Sequence, residues 1–196
     1  AEVKPLWRFA CEDEVRSSPK IHEGVLFVGC YDHNLYALDA ENGRFVWKFA
    51  TEGGISASPL VDGGFVYVGS EDRGFYALDA RKGQLLWSAL TREAIRSSAC
   101  ATGDLIIVGS DDGGLYAFSK NGGALVWRFS AARAVRSSPA VVGDFVYVGA
   151  DDGLLYCINL KDGRQRWKYQ AGRYVLSSPA ESEGLVVVGS GDANVH

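Results

Sequence analysis

No apolar run in the chain approaches the roughly 18 residues that a membrane-spanning helix needs, and Ala1-Glu2-Val3-Lys4-Pro5 lacks the apolar core of a secretion signal. Both absences read as a soluble chain. Basic charge is not in excess either, with Lys and Arg totalling 20 against 24 Asp and Glu, for a formal charge of -4. Phosphate binding needs a clustered basic surface, so nucleic acid is not an expected partner. No two of the four cysteines are adjacent and none stand at C-x-x-C spacing, which removes the common zinc and redox motifs. His22, His33 and His196 are isolated from one another in sequence, so neither a metal triad nor a nucleophile dyad is indicated. What the chain does have is 24 glycines, which suit many tight turns, and 47% hydrophobic residues in a length of 196, enough to bury a core.

Tryptophan occurs only at Trp7, Trp47, Trp87, Trp127 and Trp167, forty residues apart at every step. Glycine keeps the same spacing at Gly29, Gly69, Gly109, Gly149 and Gly189, and again at Gly43, Gly83, Gly123 and Gly163. An ungapped period of this length marks a repeat architecture whose units bury their apolar faces only against one another. Within a unit the apolar period is two, as in Phe145, Tyr147 and Gly149 set against Val146 and Val148. In the fourth unit this predicts strands near 135–142, 145–150 and 154–159 and a fourth around Trp167. The turns fall at Gly143-Asp144, Asp151-Asp152-Gly153 and Lys161-Asp162-Gly163, where Gly and Asp tolerate the positive φ of hairpin turns. Each unit is therefore a four-stranded antiparallel meander, and several arranged radially make an all-β propeller.

Ala37-Leu38-Asp39 through Gly43 to Trp47, echoed by Ala77, Asp79, Gly83 and Trp87, resembles the tryptophan-docking motif of the pyrroloquinoline-quinone (PQQ)-like repeat family. Ser-Ser-Pro before the first hairpin and Val-Gly-Ser with paired Asp at the second turn extend the resemblance over four full repeats and a partial fifth. The third and fourth copies depart mildly, with Ser119 and Asn159 at the Asp position and Cys157 at the Ala position. The resemblance implies that the five Trp pack between adjacent blades, where a large flat side chain with one N–H donor fills the seam. It implies one propeller domain over 1–196, with blades at 11–50, 51–90, 91–130, 131–170 and a partial 171–196. Residues 1–10 are expected as the outer strand of the last blade, closing the ring as a monomer and pairing an otherwise exposed edge. The alternative is an arc cut from a propeller of six to eight blades.

Catalytic chemistry is thin. The quinone-dependent dehydrogenases that the resemblance brings to mind carry an adjacent Cys-Cys pair, calcium ligands and a catalytic Asp on a much longer chain, and the Cys-Cys pair is missing here. Cys30 stands where other repeats have Ser70, Ser110 and Ala150, and Cys157 where they have Ala37, Ala77 and Ala117, so the cysteines read as small core residues. The Ser-Ser pairs recur in nearly every unit, which argues for satisfying backbone groups rather than for a nucleophile. Variation concentrates just before Ser-Ser-Pro, where the column reads Arg16, Ser56, Arg96, Arg136 and Leu176. Asp32, Asp72, Asp112, Asp152 and Asp192 should share that face. These arginines either tie blades together through turn carboxylates or offer donors to an anionic ligand or an acidic partner. Nearby loops change sign from Glu12-Asp13-Glu14 to Arg133 and Arg173. The reading is a non-catalytic binding scaffold without cofactor or metal, for a protein partner or a small anionic ligand on the arginine and aspartate face. The runner-up is a fragment of a PQQ-dependent dehydrogenase.

Overall fold

Alternating β-branched and aromatic residues between Gly- and Asp-bearing turns fold the chain into antiparallel sheets, in a computed structural model that describes residues 4–196. The first sheet holds β1 (Lys20–His22), β2 (Val25–Gly29), β3 (Asn34–Asp39) and β4 (Phe45–Ala50). The second holds β5 (Leu60–Asp62), β6 (Phe65–Gly69), β7 (Gly74–Asp79) and β8 (Leu85–Leu90). The third holds β9 (Cys100–Thr102), β10 (Leu105–Gly109), β11 (Gly114–Ser119) and β12 (Leu125–Ser130). The fourth holds β13 (Ala140–Val142), β14 (Phe145–Gly149), β15 (Leu154–Asn159) and β16 (Gln165–Gln170). A fifth sheet pairs β17 (Ala180–Ser182) with β18 (Leu185–Val187) and is extended by a bridge between Gly189 and Val195. Strands within each sheet follow chain order, and the inner strands β1, β5, β9, β13 and β17 neighbour one another in that order. The sheets thus fan out from a line of short inner strands, as the blades of a propeller do.

The inner strand of the fourth blade begins at Ala140 rather than near residue 135, because the preceding residues bond to neighbouring blades instead of to a ladder. Val135 N donates to the carbonyl of Ser110 in the third blade at 2.9 Å, and its side chain is fully buried. The Ser-Ser pairs work in the same zone. Ser17 Oγ accepts from Gly29 N at 2.8 Å and donates to Gly29 O at 3.0 Å, while Ser18, Ser58 and Ser98 N donate to the hydroxyls of Ser58, Ser98 and Ser138 one blade on. These side chains satisfy backbone groups that three-residue strands leave unpaired.

The core lies between blades rather than within them. Phe27, Leu35 and Trp47 of the first blade pack with Ile55, Val66, Val68 and Leu78 of the second, and the next two seams repeat the pattern. The indole Nε1 of Trp7, Trp47, Trp87 and Trp127 donates to the carbonyls of Ala40, Ala80, Lys120 and Leu160 at 3.1, 3.1, 2.9 and 2.8 Å. Each ring lies on a turn glycine of the facing blade, and a Cβ on Gly83 would stand 2.6 Å from Trp47 Cδ2. An indole buries roughly 150–250 Å², about 4–6 kcal/mol of gross transfer free energy at each seam.

The two ends of the fan do not meet. Val15, in the column of the fully buried Ile55, Ile95, Val135 and Val175, is 49% exposed. A Cβ on Gly189 would meet only Ser177 of its own blade, whereas Gly29 and Gly69 are pressed by Ile55 and Ile95 of the next. Pro5–Phe9, expected as a strand of the last blade, forms no β-bridge among the described residues, while Trp7 docks on the first blade just as each later docked Trp lies on the blade after its own. Ring closure is therefore not shown; residues 1–3 of the expected 1–10 segment lie outside the described residues.

Candidate interaction face

The turn joining the second and third strands of each blade presents two side chains with separate tasks. The second is the repeated Asp. In the second blade Asp72 Oδ1 accepts from Gly74 N at 2.7 Å, and Oδ2 accepts from Tyr76 Oη at 2.8 Å and from Glu52 N at 2.9 Å. Asp32, Asp112 and Asp152 are held by the same kinds of donor, so this column locks each turn to its own third strand and to the loop entering the blade. Burial alone would raise the Asp112 carboxyl, but bonds from Tyr116, from Arg92 N and from Gly114 N, with the Arg128 charge beside it, hold it below the usual 3.8.

The residue before that Asp is the one the arginines meet. Tyr31, Glu71, Asp111 and Asp151 occupy this column. Arg16 Nε donates to Glu14 at 2.8 Å and its guanidinium lies 4.7 Å from the Tyr31 ring centroid. Tyr31 Oη donates to Glu71 at 2.9 Å, and Arg96 Nε donates to the same carboxylate oxygen at 3.0 Å. Arg96 Nη1 also pairs with Asp111. Arg136 grips Asp111 with two donors, Nε at 2.8 Å and Nη2 at 3.1 Å, and its Nη1 reaches Asp151 at 3.2 Å. Arg96 and Arg136 thus each stand between a carboxylate of the preceding blade and one of their own, and the ladder runs from Glu14 to Asp151 across four blades. Where the second blade has Ser56 instead of arginine, the Tyr31 hydroxyl makes the crossing.

The ladder stops at the fourth blade, because the fifth supplies Leu176 and Gly191 at the corresponding positions. Asp151 Oδ1 is buried there with no hydrogen-bond partner among the described residues. Burial raises its carboxyl above the usual value, opposed by Arg136 and reinforced by Asp111 and Asp152. Beside it opens a cavity of about 260 Å³ lined by Arg133, Arg136, Asp151, Tyr174 and Leu176. Arg133 and Arg173 form no ion pair among the described residues. Of the five arginines expected at the face, Arg96 and Arg136 share one network and Arg133 joins Arg136 at the cavity. Arg16 stands at the opposite end of the ladder, and Arg173 does not line the cavity.

The acidic column at Glu71, Asp111 and Asp151 is what reading the sequence missed, since attention fell on the repeated Asp one residue later. The signal was a column that varies together with the arginine column: Tyr31 precedes the blade with Ser56, and acids accompany Arg96 and Arg136. Chemically the face offers paired donors and acceptors and one buried carboxylate oxygen without a donor, and no nucleophile and base in contact. Among the described residues one group could approach a metal, Cys11, Cys30 and Asp32, whose ligand atoms lie within 4.8 Å of one another. Both Asp32 oxygens already accept hydrogen bonds.

A family profile described as outer membrane protein assembly factor BamB, of the PQQ-like repeat type, matches residues 4–122 and 111–196. A comparison with curated protein sequences finds no match. Among solved structures, BamB from Moraxella catarrhalis superposes with a TM-score of 0.84 at 23% identity, over 97% of this chain and 60% of that one. The computationally designed protein Ika8 superposes at 0.86 with 17% identity and the same coverage. The quinohemoprotein alcohol dehydrogenase ADHIIG from Pseudomonas putida HK5 superposes at 0.75 with 18% identity, over 93% of this chain and 40% of that one. The chain therefore spans about 60% of the first two structures and less of the third, and the likeness establishes the propeller fold.

Proposed function

From the premise that this chain belongs to the PQQ-like repeat family of the assembly factor BamB, we propose that it is a non-catalytic binding scaffold whose partner engages the loop face at the fourth and fifth blades. The observation that carries this is the open end of the ladder. Along the ladder Arg16, Arg96 and Arg136 are each matched by a carboxylate, so few of their donors remain for a ligand. At the cavity the matching fails in both directions, with Arg133 free of any ion pair among the described residues and Asp151 Oδ1 without a donor. A site with an unmatched cation and an unmatched carboxylate suits a polar protein loop, which carries donors and acceptors together, better than a small anion. Tyr174 and Leu176, each 48% exposed, give the same site an apolar rim. The name of the matched family, an assembly factor, agrees with a protein partner.

The dehydrogenase reading is weaker because the residues do not fit the quinone and its metal. No adjacent cysteines are present, and the carboxylates of the face either lock turns or pair with arginine. The test is to incubate the purified chain with the quinone and calcium, desalt it, and record the absorbance and dye-linked alcohol oxidation. The scaffold reading expects neither retained quinone nor activity, and stoichiometric retention with turnover would reverse it. A companion arm carries Arg133→Glu and Arg173→Glu in one variant. Its melting temperature should stay close to that of the parent while proteins captured by the parent are lost.

A further inference from the structure

One corner of each blade brings together two side chains nineteen residues apart. In the second blade the hydroxyls of Thr51 and Ser70 both donate to the carbonyl of Gly53, at 2.7 and 3.0 Å. In the third, Thr91 and Ser110 both donate to the carbonyl of Glu93, at 2.6 and 3.1 Å. Two donors that share one oxygen must have adjacent tips, so the fold itself sets this juxtaposition. The fourth blade places Ala131 and Ala150 there, and the fifth Ala171 and Ser190. Only the first blade has sulfur at both positions, Cys11 and Cys30. Cys30 Sγ donates to the carbonyl of Asp13 at 3.3 Å, the counterpart of Gly53 and Glu93, and the two sulfurs lie within 4.8 Å. Cys30 is fully buried and Cys11 partly exposed, while Cys100 and Cys157 sit on β9 and β15 at other repeat positions.

We infer that Cys11 and Cys30 close to a disulfide when the chain meets a small disulfide reagent, fastening the segment that bears Trp7 to the first blade. The partly exposed Cys11 thiolate attacks one sulfur of the reagent and releases one thiol. Cys30 thiolate then attacks the Cys11 sulfur of the mixed disulfide and releases the second thiol. Two electrons pass from the cysteine pair to the reagent, and the two protons end on the released thiols. Burial, with Cys30 beside it, pushes the Cys11 thiol up to about 12, so closure is slow near neutrality and accelerates as pH rises. A metal suits the corner less well. Asp32 Oδ1 accepts from Asn34 N at 3.0 Å and Nδ2 at 3.1 Å, and Oδ2 accepts from Tyr36 Oη at 2.8 Å and Glu12 N at 3.1 Å. Blades without cysteine bind the equivalent Asp in nearly the same way, so the carboxylate is occupied by a structural task.

The experiment incubates the folded, reduced chain with oxidised glutathione at several pH values and follows intact mass, then digests with trypsin. The expected result is loss of two hydrogens without a retained adduct and a cross-link between the peptides Phe9–Arg16 and Ile21–Arg44. The oxidised protein should unfold at higher denaturant than the reduced one, reverting on reduction, as expected for a closed loop. The double variant Cys11→Thr with Cys30→Ser copies the second blade and should fold and ignore the reagent. A lasting glutathione adduct on Cys11 with Cys30 free, a bridge to Cys100 or Cys157, or stoichiometric zinc held by the reduced protein would overturn the inference. Should the double variant fail to fold, the peptide map of the parent still decides it.

Discussion

Replacing Asp111 with Asn tests whether the ladder holds the blades together. Asp111 is the node at which two arginines from different blades converge: Arg136 with donors at 2.8 and 3.1 Å, and Arg96 through Nη1. The Asp111 side chain is 12% exposed, but those of Arg96 and Arg136 are 35% and 42% exposed, so solvent screens part of each attraction. Hydrogen bonds to charged groups contribute about 1.5–3 kcal/mol each when well buried, and exposed ion pairs about 0–1 kcal/mol. Three bonds between these limits give about 2 kcal/mol, because the Asn amide can still accept one bond while the charge term is lost. For a chain of this size that lowers Tm by about 4–8 °C. The assay is urea denaturation of parent and variant at low and high salt, with the difference shrinking at high salt as surface screening sets in. Combining Asp111→Asn with Arg136→Gln should recover a coupling of about 1 kcal/mol, since the two residues are in direct contact. A loss under about 0.5 kcal/mol, within the range of ordinary surface changes, would refute the view that the ladder ties blades together.

Two further outcomes test the seams and the buried phenols. Gly83→Ala should cost about 2–5 kcal/mol, from a positive φ of 66° and the Trp47 ring in the way, whereas Gly64→Ala, with φ of 81° but open space, should cost only about 1–2 kcal/mol by denaturation. Burial, helped by Asp62, pushes the Tyr67 hydroxyl from the ordinary 10 up to about 12. Its contribution is present in full below pH 10 and is lost as pH rises towards 12, because the unfolded phenol ionises first. A urea midpoint followed through that window should fall, and Tyr67→Phe should flatten the fall; an unchanged profile would refute the assignment.

The sequence by itself determined the repeat length, the strand type and the turns, because these depend on neighbours a few residues apart. Asp-Gly turns, alternation between Phe145 and Gly149, and the forty-residue spacing of tryptophan are all legible in that way. Even the facing of Gly83 and Trp47 could be expected, since both recur in each of the four full units. What recurs is recognisable because each copy repeats the evidence. The partners of the arginines were decided by tertiary structure. Arg96 reaches Asp111 of its own blade across 15 residues and Glu71 of the preceding blade across 25, the latter a contact made only once one blade is stacked on the next. Folding of the entry loop onto its own blade brought Cys11 to Cys30, while stacking left Asp151 Oδ1 without a donor and Val15 exposed. Local preference fixes the shape of one blade, but which side-chain tips meet depends on how far each blade is rotated against its neighbour, and packing of whole sheets sets that rotation.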